Sequence, residues 1–267
     1  MIQYIVRPFQ NNDIMIKTDD PTIVETLKIA YGCYVVDFTE KECIQIFIIK
    51  TKKMMYEIYC DNKKTVTETP LQLIENMIFD TTFYYENIFA LHAGAVSVKD
   101  NTLIFIAPTG GGKTTLISYL SIQGFEYVTD DCVFIDMNNN NVYPYHKPIH
   151  LRKGGYNIIK NHLYDLDEIH EIYNDGNKRY VYSPSRFSKN NLRLNKIFFI
   201  ERNEKINELC NMTTNEAIQK LMASTITSYS IKKEYLKFLS IIARECRILK
   251  YKDLDYVYDI LEYRRYI

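Results

Sequence analysis

Apolar positions in the first 85 residues alternate over short runs and then recur at helical spacing, which predicts a small α+β unit. Strands are expected near Gln3 to Arg7 and Ile14 to Lys17, followed by a helix from Thr22 to Tyr31. Three more strands are expected over Tyr34 to Phe38, Cys43 to Lys50 and Met55 to Cys60, with Asp61-Asn62-Lys63 as a turn. Pro70 suits a first helical position, and Leu71, Ile74, Met77 and Ile78 share one face, so a helix is expected to about Phe83. A boundary near Tyr85 then separates a domain of residues 1–85 from one of residues 86–267.

Beyond that boundary the pattern changes character. Residues 91 to 98 alternate as a strand, Lys99-Asp100-Asn101 makes a tight turn, and Leu103 to Ile106 reads as a buried strand. So short a connection cannot make a parallel crossover, and the two strands must pair antiparallel. Leu116, Ile117 and Leu120 follow at helical spacing, Gly124 suits the position just past a helix end, and Phe125 to Thr129 reads as the next strand. That strand is expected to return beside the helix and to end on Asp130 and Asp131. Val133 to Asp136 and Val142 to Tyr145 form a hairpin turning at Asn138 to Asn141. Periodicity fades from Leu151 to Leu192, a stretch holding Asp165, Asp167, Glu168, a loop at Asp175-Gly176-Asn177, and Arg179, Arg186 and Lys189. Connections of that length are usually functional or mobile. A strand at Lys196 to Glu201 and helices near Thr214 to Thr225 and Lys232 to Cys246 complete the pattern.

Composition narrows the classes. The 267 residues carry 33 Lys plus Arg against 33 Asp plus Glu, so no overall field favours polyanions, and nucleic acid is not expected as a partner. No apolar run approaches the roughly 20 residues that cross a bilayer, so no membrane partner is expected. Six cysteines without a Cys-x-x-Cys pair or a secretory leader point to reduced thiols and a cytoplasmic location. The abundant tyrosine (23 residues) reads as compositional bias.

Between the apolar run ending at Ile106 and the amphipathic segment lies Ala107-Pro108-Thr109-Gly110-Gly111-Gly112-Lys113-Thr114. Glycines at 110, 111 and 112 permit φ > 0 and turn successive N–H groups inward, where a helix N-terminus helps hold phosphate oxygens. Lys113 would neutralise the outer phosphates, Thr114 would place its hydroxyl on Mg²⁺, and Thr109 and Thr115 flank the same ligand. Ala107 stands where the usual pattern has its first glycine, and a strand-to-helix turn with a solvated lysine is the plainer alternative. Asp130 and Asp131 follow Lys113 by 17 and 18 positions, where one carboxylate can help hold Mg²⁺ and the other accept a proton from an attacking hydroxyl. The same pair also fits a solvated turn.

Taken together, Leu91-His92-Ala93-Gly94, the hairpin, the loop at 107 to 114, and Gly124-Phe125 followed by Asp130-Asp131 resemble the core of HPr kinase/phosphorylase. The chain is more similar still to stand-alone HPr-kinase-like serine kinases found with modified-peptide pathways, including lasso-peptide kinases. The likeness is specific over about 91 to 136, weaker over Tyr143 to Arg152, Leu194 to Arg202 and Tyr251 to Leu254, and absent in detail from the first 85 residues. It implies an α/β fold: a P-loop nucleotide core of the phosphoenolpyruvate-carboxykinase/HPr-kinase type with a mixed sheet, plus the small N-terminal α+β domain. It also implies ATP and Mg²⁺ as cofactors, and transfer of the γ-phosphoryl group to a serine of a peptide or small protein. By position Asp130 matches the general base, Asp131 its metal-side partner, Lys113 the phosphate lysine and His92 the active-site histidine. Arg152 is the favoured arginine for the transferring phosphate, because Pro148-Ile149-His150-Leu151 resembles the family's substrate-side strand; Arg179 and Arg186 are the other candidates. The glycine-rich signature that follows the second carboxylate in HPr kinase/phosphorylase is missing, which puts both the reverse reaction and HPr as acceptor in doubt. A kinase of a small hydroxylated metabolite and a nucleotide-gated binding module stay open as alternatives, as does homo-oligomer formation. His146 and His150 are four apart, but Pro148 between them argues against a helical zinc pair.

Overall fold

The structure, a computed structural model, describes residues 1–9, 12–36, 43–51, 55–60, 63–82, 87–163, 169–174, 177–226 and 233–263. The chain is mixed α/β with several sheets. In order it runs β1 (Ile2–Phe9), β2 (Asn12–Thr18), α1 (Pro21–Tyr31), β3 (Ile44–Lys50), β4 (Tyr56–Cys60), β5 (Lys63–Thr67), α2 (Pro70–Thr82), β6 (Ile88–Leu91), β7 (Gly94–Val98), β8 (Asn101–Ile106) and α3 (Lys113–Ile122). It continues with β9 (Glu126–Thr129), β10 (Val133–Asp136), β11 (Asn141–Tyr143), β12 (Ile149–Leu151), α4 (Lys153–Ile159), β13 (Ile169–Asn174), β14 (Asn177–Tyr182) and β15 (Leu192–Arg202). The last elements are β16 (Glu208–Asn211), α5 (Thr214–Ala223), α6 (Lys233–Ile242), β17 (Cys246–Tyr251) and α7 (Leu254–Tyr263). No helix among the described residues is long and apolar enough to cross a membrane.

Contacts divide the chain into two compact units. The first comprises Met1–Glu86, His146–Gly154 and Asp165–Ser185. Its main sheet has the order β1-β2-β3-β4-β5, parallel between β2 and β3 and antiparallel elsewhere. Ile14, Ile16, Ile46, Ile48 and Ile58 are fully buried on alternate positions, as a sheet with one covered face requires. Helix α1 touches β1, β2 and α2. It begins at Asp20, whose carboxylate accepts from the Thr22 N–H at 2.9 Å, from the Tyr56 hydroxyl at 3.0 Å and from Lys50 at 2.9 Å. Burial opposes the Asp20 charge, yet these donors outweigh it and hold the carboxyl at about 2, below its usual 3.8. A depressed carboxyl pKa contributes stability above the unfolded value and loses it as pH falls toward the folded one. Asp20→Ala is therefore expected to cost about 1–2 kcal/mol at neutral pH, with the deficit shrinking as pH is lowered from 4 toward 2, read by urea unfolding.

Expectations for this unit meet three differences. Over its described part, Tyr34 to Val36, the first of the three expected strands is replaced by a 3₁₀ turn at residues 32–34, after which Val35 bridges back to Val6. Buried Tyr34 stacks on His146 with ring centroids 4.9 Å apart, and that packing holds the turn. Strand β5 is too polar to have been read from periodicity, being a lysine- and threonine-rich edge strand. The stretch where periodicity faded supplies β13 and β14, which with β12 form an antiparallel sheet of order β12-β14-β13. Expectations for residues 37, 38, 61, 62, 83, 85, 165, 167, 168, 175 and 176 lie outside the described residues.

The second unit comprises Asn87–Tyr145, Gly155–Tyr164 and Arg186–Ile267. Its sheet runs β6-β10-β11-β15-β8-β7-β9, with β17 on β15 and β16 on β17. Strands β7 and β8 pair antiparallel from Gly94↔Phe105 to Val98↔Asn101, so the hairpin entry expected from the three-residue turn is present. Strands β8, β15 and β17 are mutually parallel through β15. Strand β9 returns beside α3, as expected, and pairs with β7, so it lies across the hairpin from β8. Because both β8 and β9 run opposite to β7, their carboxyl ends still emerge on the same edge of the sheet. Ile104, Ile106, Ile197 and Phe199 join the core shared with Ala217 and Leu221 of α5 and Phe238, Leu239 and Ile242 of α6. By strand alternation Leu103, Phe105, Phe198 and Ile200 face the opposite side, which leaves that side to α3.

Candidate active site

The loop from Ala107 to Gly112 joins β8 to α3. Gly110 (φ +80°) and Gly112 (φ +93°) sit in the left-handed region that glycine adopts without strain. Gly111 does not, which corrects the expectation that all three glycines serve a positive φ. A Cβ on Gly111 would lie 2.8 Å from the Ala107 Cβ, so closeness of the loop to itself makes glycine necessary there. A Cβ on Gly112 would meet the Tyr251 hydroxyl at 2.9 Å. The turn closes through the Gly111 N–H, which donates to the Pro108 carbonyl at 2.9 Å. Thr109 is exposed, while Thr114 and Thr115 are half-buried in the first turn of α3.

Lys113 is buried at 5% exposure, and its ammonium donates to the Ala107 carbonyl at 2.7 Å. The same Nζ lies 3.2 Å from His92 Nε2. Continuing the β7–β8 register by two residues sets His92 opposite Ala107, so the hairpin itself delivers the histidine to the loop. The other ring nitrogen, Nδ1, lies 3.0 Å from the carbonyl oxygen of Asp131. A carbonyl can only accept, so Nδ1 donates to it and Nε2 is left to accept from the Lys113 ammonium: His92 bridges the loop's lysine to the acid turn. Burial holds the Lys113 pKa below its usual 10.5, opposed by attraction to Asp130 and Asp131. Both acids are therefore electrostatic neighbours of the ammonium.

Asp130 is buried at 1% exposure and Asp131 half-buried, so only the latter is open to solvent. Asp131 has φ +66°, a conformation that costs a non-glycine residue energy and tends to mark functional turns. Thr129 Oγ1 donates to the Cys132 carbonyl at 2.8 Å and staples this turn. Gly94 explains how strand and helix come so close: a Cβ there would lie 2.6 Å from Ile117 Cγ1 and 3.2 Å from Asp130 Oδ1. Gly94→Ala is expected to lower stability by about 1–3 kcal/mol, with partial recovery in the double variant Gly94→Ala/Ile117→Ala, as thermal melts of the four-member cycle would record.

Two clefts flank the loop at the carboxyl ends of the parallel strands, the usual place for ligands in such sheets. One, of about 570 Å³, lies between the glycine turn, Thr115 and the start of α7, with Ile200, Arg202 and Tyr251 on its walls. The other, of about 490 Å³, is bounded by His92, Thr109, Phe199 and the end of α5 at Lys220, Ala223 and Thr225. Arg202, at the end of β15, is a cation beside the glycine turn that sequence reasoning passed over; its strand was recognised, but nothing marked its last residue.

The arginines singled out from sequence fare differently. Arg186 donates to the Gly124 carbonyl at 2.9 Å, capping the far end of α3, and so is placed at the wrong end of the helix for a phosphate at the loop. Arg152 and Arg179 belong to the first unit. His146 and His150 go to different partners, the latter to Glu75 at 2.8 Å.

No protein-family model matches the chain, and no curated protein matches it either. Among solved structures it is similar to the Hpr(Ser) kinase/phosphatase from Coxiella burnetii, at 9% identity over 66% of this chain and 95% of that one, with a TM-score of 0.33.

Proposed function

We propose that the second unit is an ATP- and Mg²⁺-dependent phosphotransferase that passes the γ-phosphoryl group to a serine hydroxyl of a peptide or small protein. The finer fold assignment goes with it: a P-loop core of the HPr-kinase type, which the antiparallel entry into β8 supports. The observation that carries the reading is the bridge through His92, bonded at once to the buried Lys113 ammonium and to the backbone of Asp131. A solvated lysine on a glycine-rich turn would have no reason to be buried and bonded to His92 within the field of two acids.

The residues fit a magnesium-bound triphosphate. Side chains at Gly111 or Gly112 would collide with the loop and with Tyr251, so glycine keeps the turn at the amino end of α3 uncovered, with the Gly111 N–H already engaged by the Pro108 carbonyl. Thr114 and Asp131 would hold Mg²⁺, which takes one or two protein oxygens and completes its shell with phosphate and water. When bound, the metal neutralises charge on the transferring phosphoryl group. Lys113 gives up its contact with the Ala107 carbonyl to grip the outer phosphates. The acceptor oxygen attacks the γ-phosphorus while the bond to the β,γ-bridging oxygen breaks, and the electron pair leaves with the diphosphate. Asp130 takes the hydroxyl proton, which requires the acceptor to come within about 2.6–3.2 Å of a carboxylate that this structure shields from water.

The test is transfer of label from γ-labelled ATP to serine peptides, with a gain of about 80 Da on the acceptor as the product signature. A serine acceptor that gains label supports the proposal. Label appearing only on a hydroxylated metabolite, or on nothing while ATP binds, contradicts it.

A further inference from the structure

The glycine turn has a polar neighbour to which the transfer chemistry above gives no task. Strands β8, β15 and β17 are parallel, so their carboxyl ends line one edge of the sheet, and Tyr251 closes β17 there beside Arg202, the last residue of β15. Phe198 and Ile200 face α3, and alternation puts Arg202 and its register partner Tyr251 on that same face. The tyrosine reaches past β15 to the turn: its hydroxyl lies 2.9 Å from the point a Gly112 Cβ would occupy, at the amino end of α3.

The Asn203 N–H donates to the Tyr251 carbonyl at 2.8 Å and fixes the backbone from which the ring projects. Only 3% of the residue is exposed, and it borders the cleft of about 570 Å³ that Gly110, Gly111, Gly112 and Thr115 also line. A buried phenol normally finds a hydrogen-bond partner. Among the described residues the Tyr251 hydroxyl has none. Resting on the phosphotransferase reading above, we propose that Tyr251 gives this hydrogen bond to the phosphate chain of the nucleotide, at the inner phosphates held by the glycine turn.

Position selects the inner phosphates. A glycine turn cradles the phosphates nearest the nucleoside with its backbone, whereas the lysine that follows reaches the outer ones. Tyr251 stands against Gly112, while the Lys113 ammonium is bonded to the Ala107 carbonyl and His92. Protonation suits a donor. Burial raises the Tyr251 pKa above its usual 10, and the Arg202 charge offsets this only in part, so the hydroxyl keeps its proton near neutrality. A tyrosinate would repel phosphate, but a neutral hydroxyl can give it a charge-assisted hydrogen bond. The inner phosphates are bound both before and after transfer, so this bond serves affinity for ATP and ADP alike and adds nothing specific to the transition state.

Tyr251→Phe removes the hydroxyl and keeps the buried ring, which makes it the direct test. Because the hydroxyl bonds to no described residue, the nucleotide-free variant should melt as the wild type does. Calorimetry with Mg²⁺ is expected to show ATP and ADP each bound about tenfold more weakly, the loss of one hydrogen bond to a charged acceptor. Pyrophosphate, which carries no nucleoside, should displace ADP from the wild-type chain and lose the same factor in the variant. Unchanged ADP affinity, a loss confined to ATP, or pyrophosphate competition that is absent or undiminished overturns the inference and leaves the phosphotransferase reading standing. A markedly lower melting temperature for Tyr251→Phe does so too, since the hydroxyl would then serve the fold. A wild-type chain that binds neither ATP nor ADP removes both readings together.

Discussion

Asp130→Asn is expected to abolish phosphoryl transfer, by roughly a hundred- to ten-thousandfold, while Mg²⁺–ATP still binds. The amide keeps the shape of the carboxyl and so disturbs the tight contact of β7 with α3 at Gly94 very little. What it removes is a proton acceptor and a negative charge beside Lys113. Loss of the charge shifts the Lys113 pKa further down, and nucleotide affinity at high pH should fall with it. Asp131→Asn is the informative comparison, since that side chain is open to solvent and assigned to the metal. Its defect should ease as Mg²⁺ is raised, whereas that of Asp130→Asn should not. Transfer retained in Asp130→Asn would take the proton-accepting role away from it.

Lys113→Met is expected to cost binding and turnover together, with turnover falling by roughly a hundred- to a thousandfold. Its methylenes replace the buried stem, but nothing replaces the donor that links the Ala107 carbonyl and His92. A pH dependence follows. An amine is charged below its folded pKa, and burial sets that value for Lys113 below 10.5. Nucleotide affinity should therefore be full near neutrality and decline as pH rises through a value lower than an exposed lysine's. The Lys113→Met variant should show no such alkaline limb. Calorimetric titrations from pH 7 to 10 would record both curves.

Much of the second unit was legible because its signals are local. A three-residue turn between alternating runs left antiparallel pairing as the one option for β7 and β8, and Gly124, at φ +101°, ends α3 where its position suggested. The approach of the two acids to Lys113 was readable from their spacing and the returning strand, whereas His92 was readable only as a resemblance, since no spacing rule says that the register of β7 carries it to the loop. Gly111 was misread because sequence cannot tell a positive φ from a close approach. Arg186 looked like a phosphate ligand from its charge, whereas its place is fixed by the fold returning residues 186–188 beside Tyr127. In the first unit β5 escaped notice because it is mostly lysine and threonine, and β13 and β14 because their few isoleucine, valine and tyrosine positions are interspersed with His, Glu, Lys, Arg and Asn. Candidate roles for Thr109, Thr114, Thr115 and Asp131 rest on their positions around the loop, and Arg202 joins them only through the cleft it borders.

Convergence of the glycine turn and the acid turn on one phosphate chain is the central claim, and amide NMR of the uniformly labelled protein addresses it directly. On addition of Mg²⁺–ATP the backbone signals of Gly111 to Thr114 and of Asp130 and Asp131 should shift together with a single saturation curve, and Lys113→Met should weaken both responses alike. Shifts at the glycine turn with none at Asp130 and Asp131, or no response at either, would contradict the account.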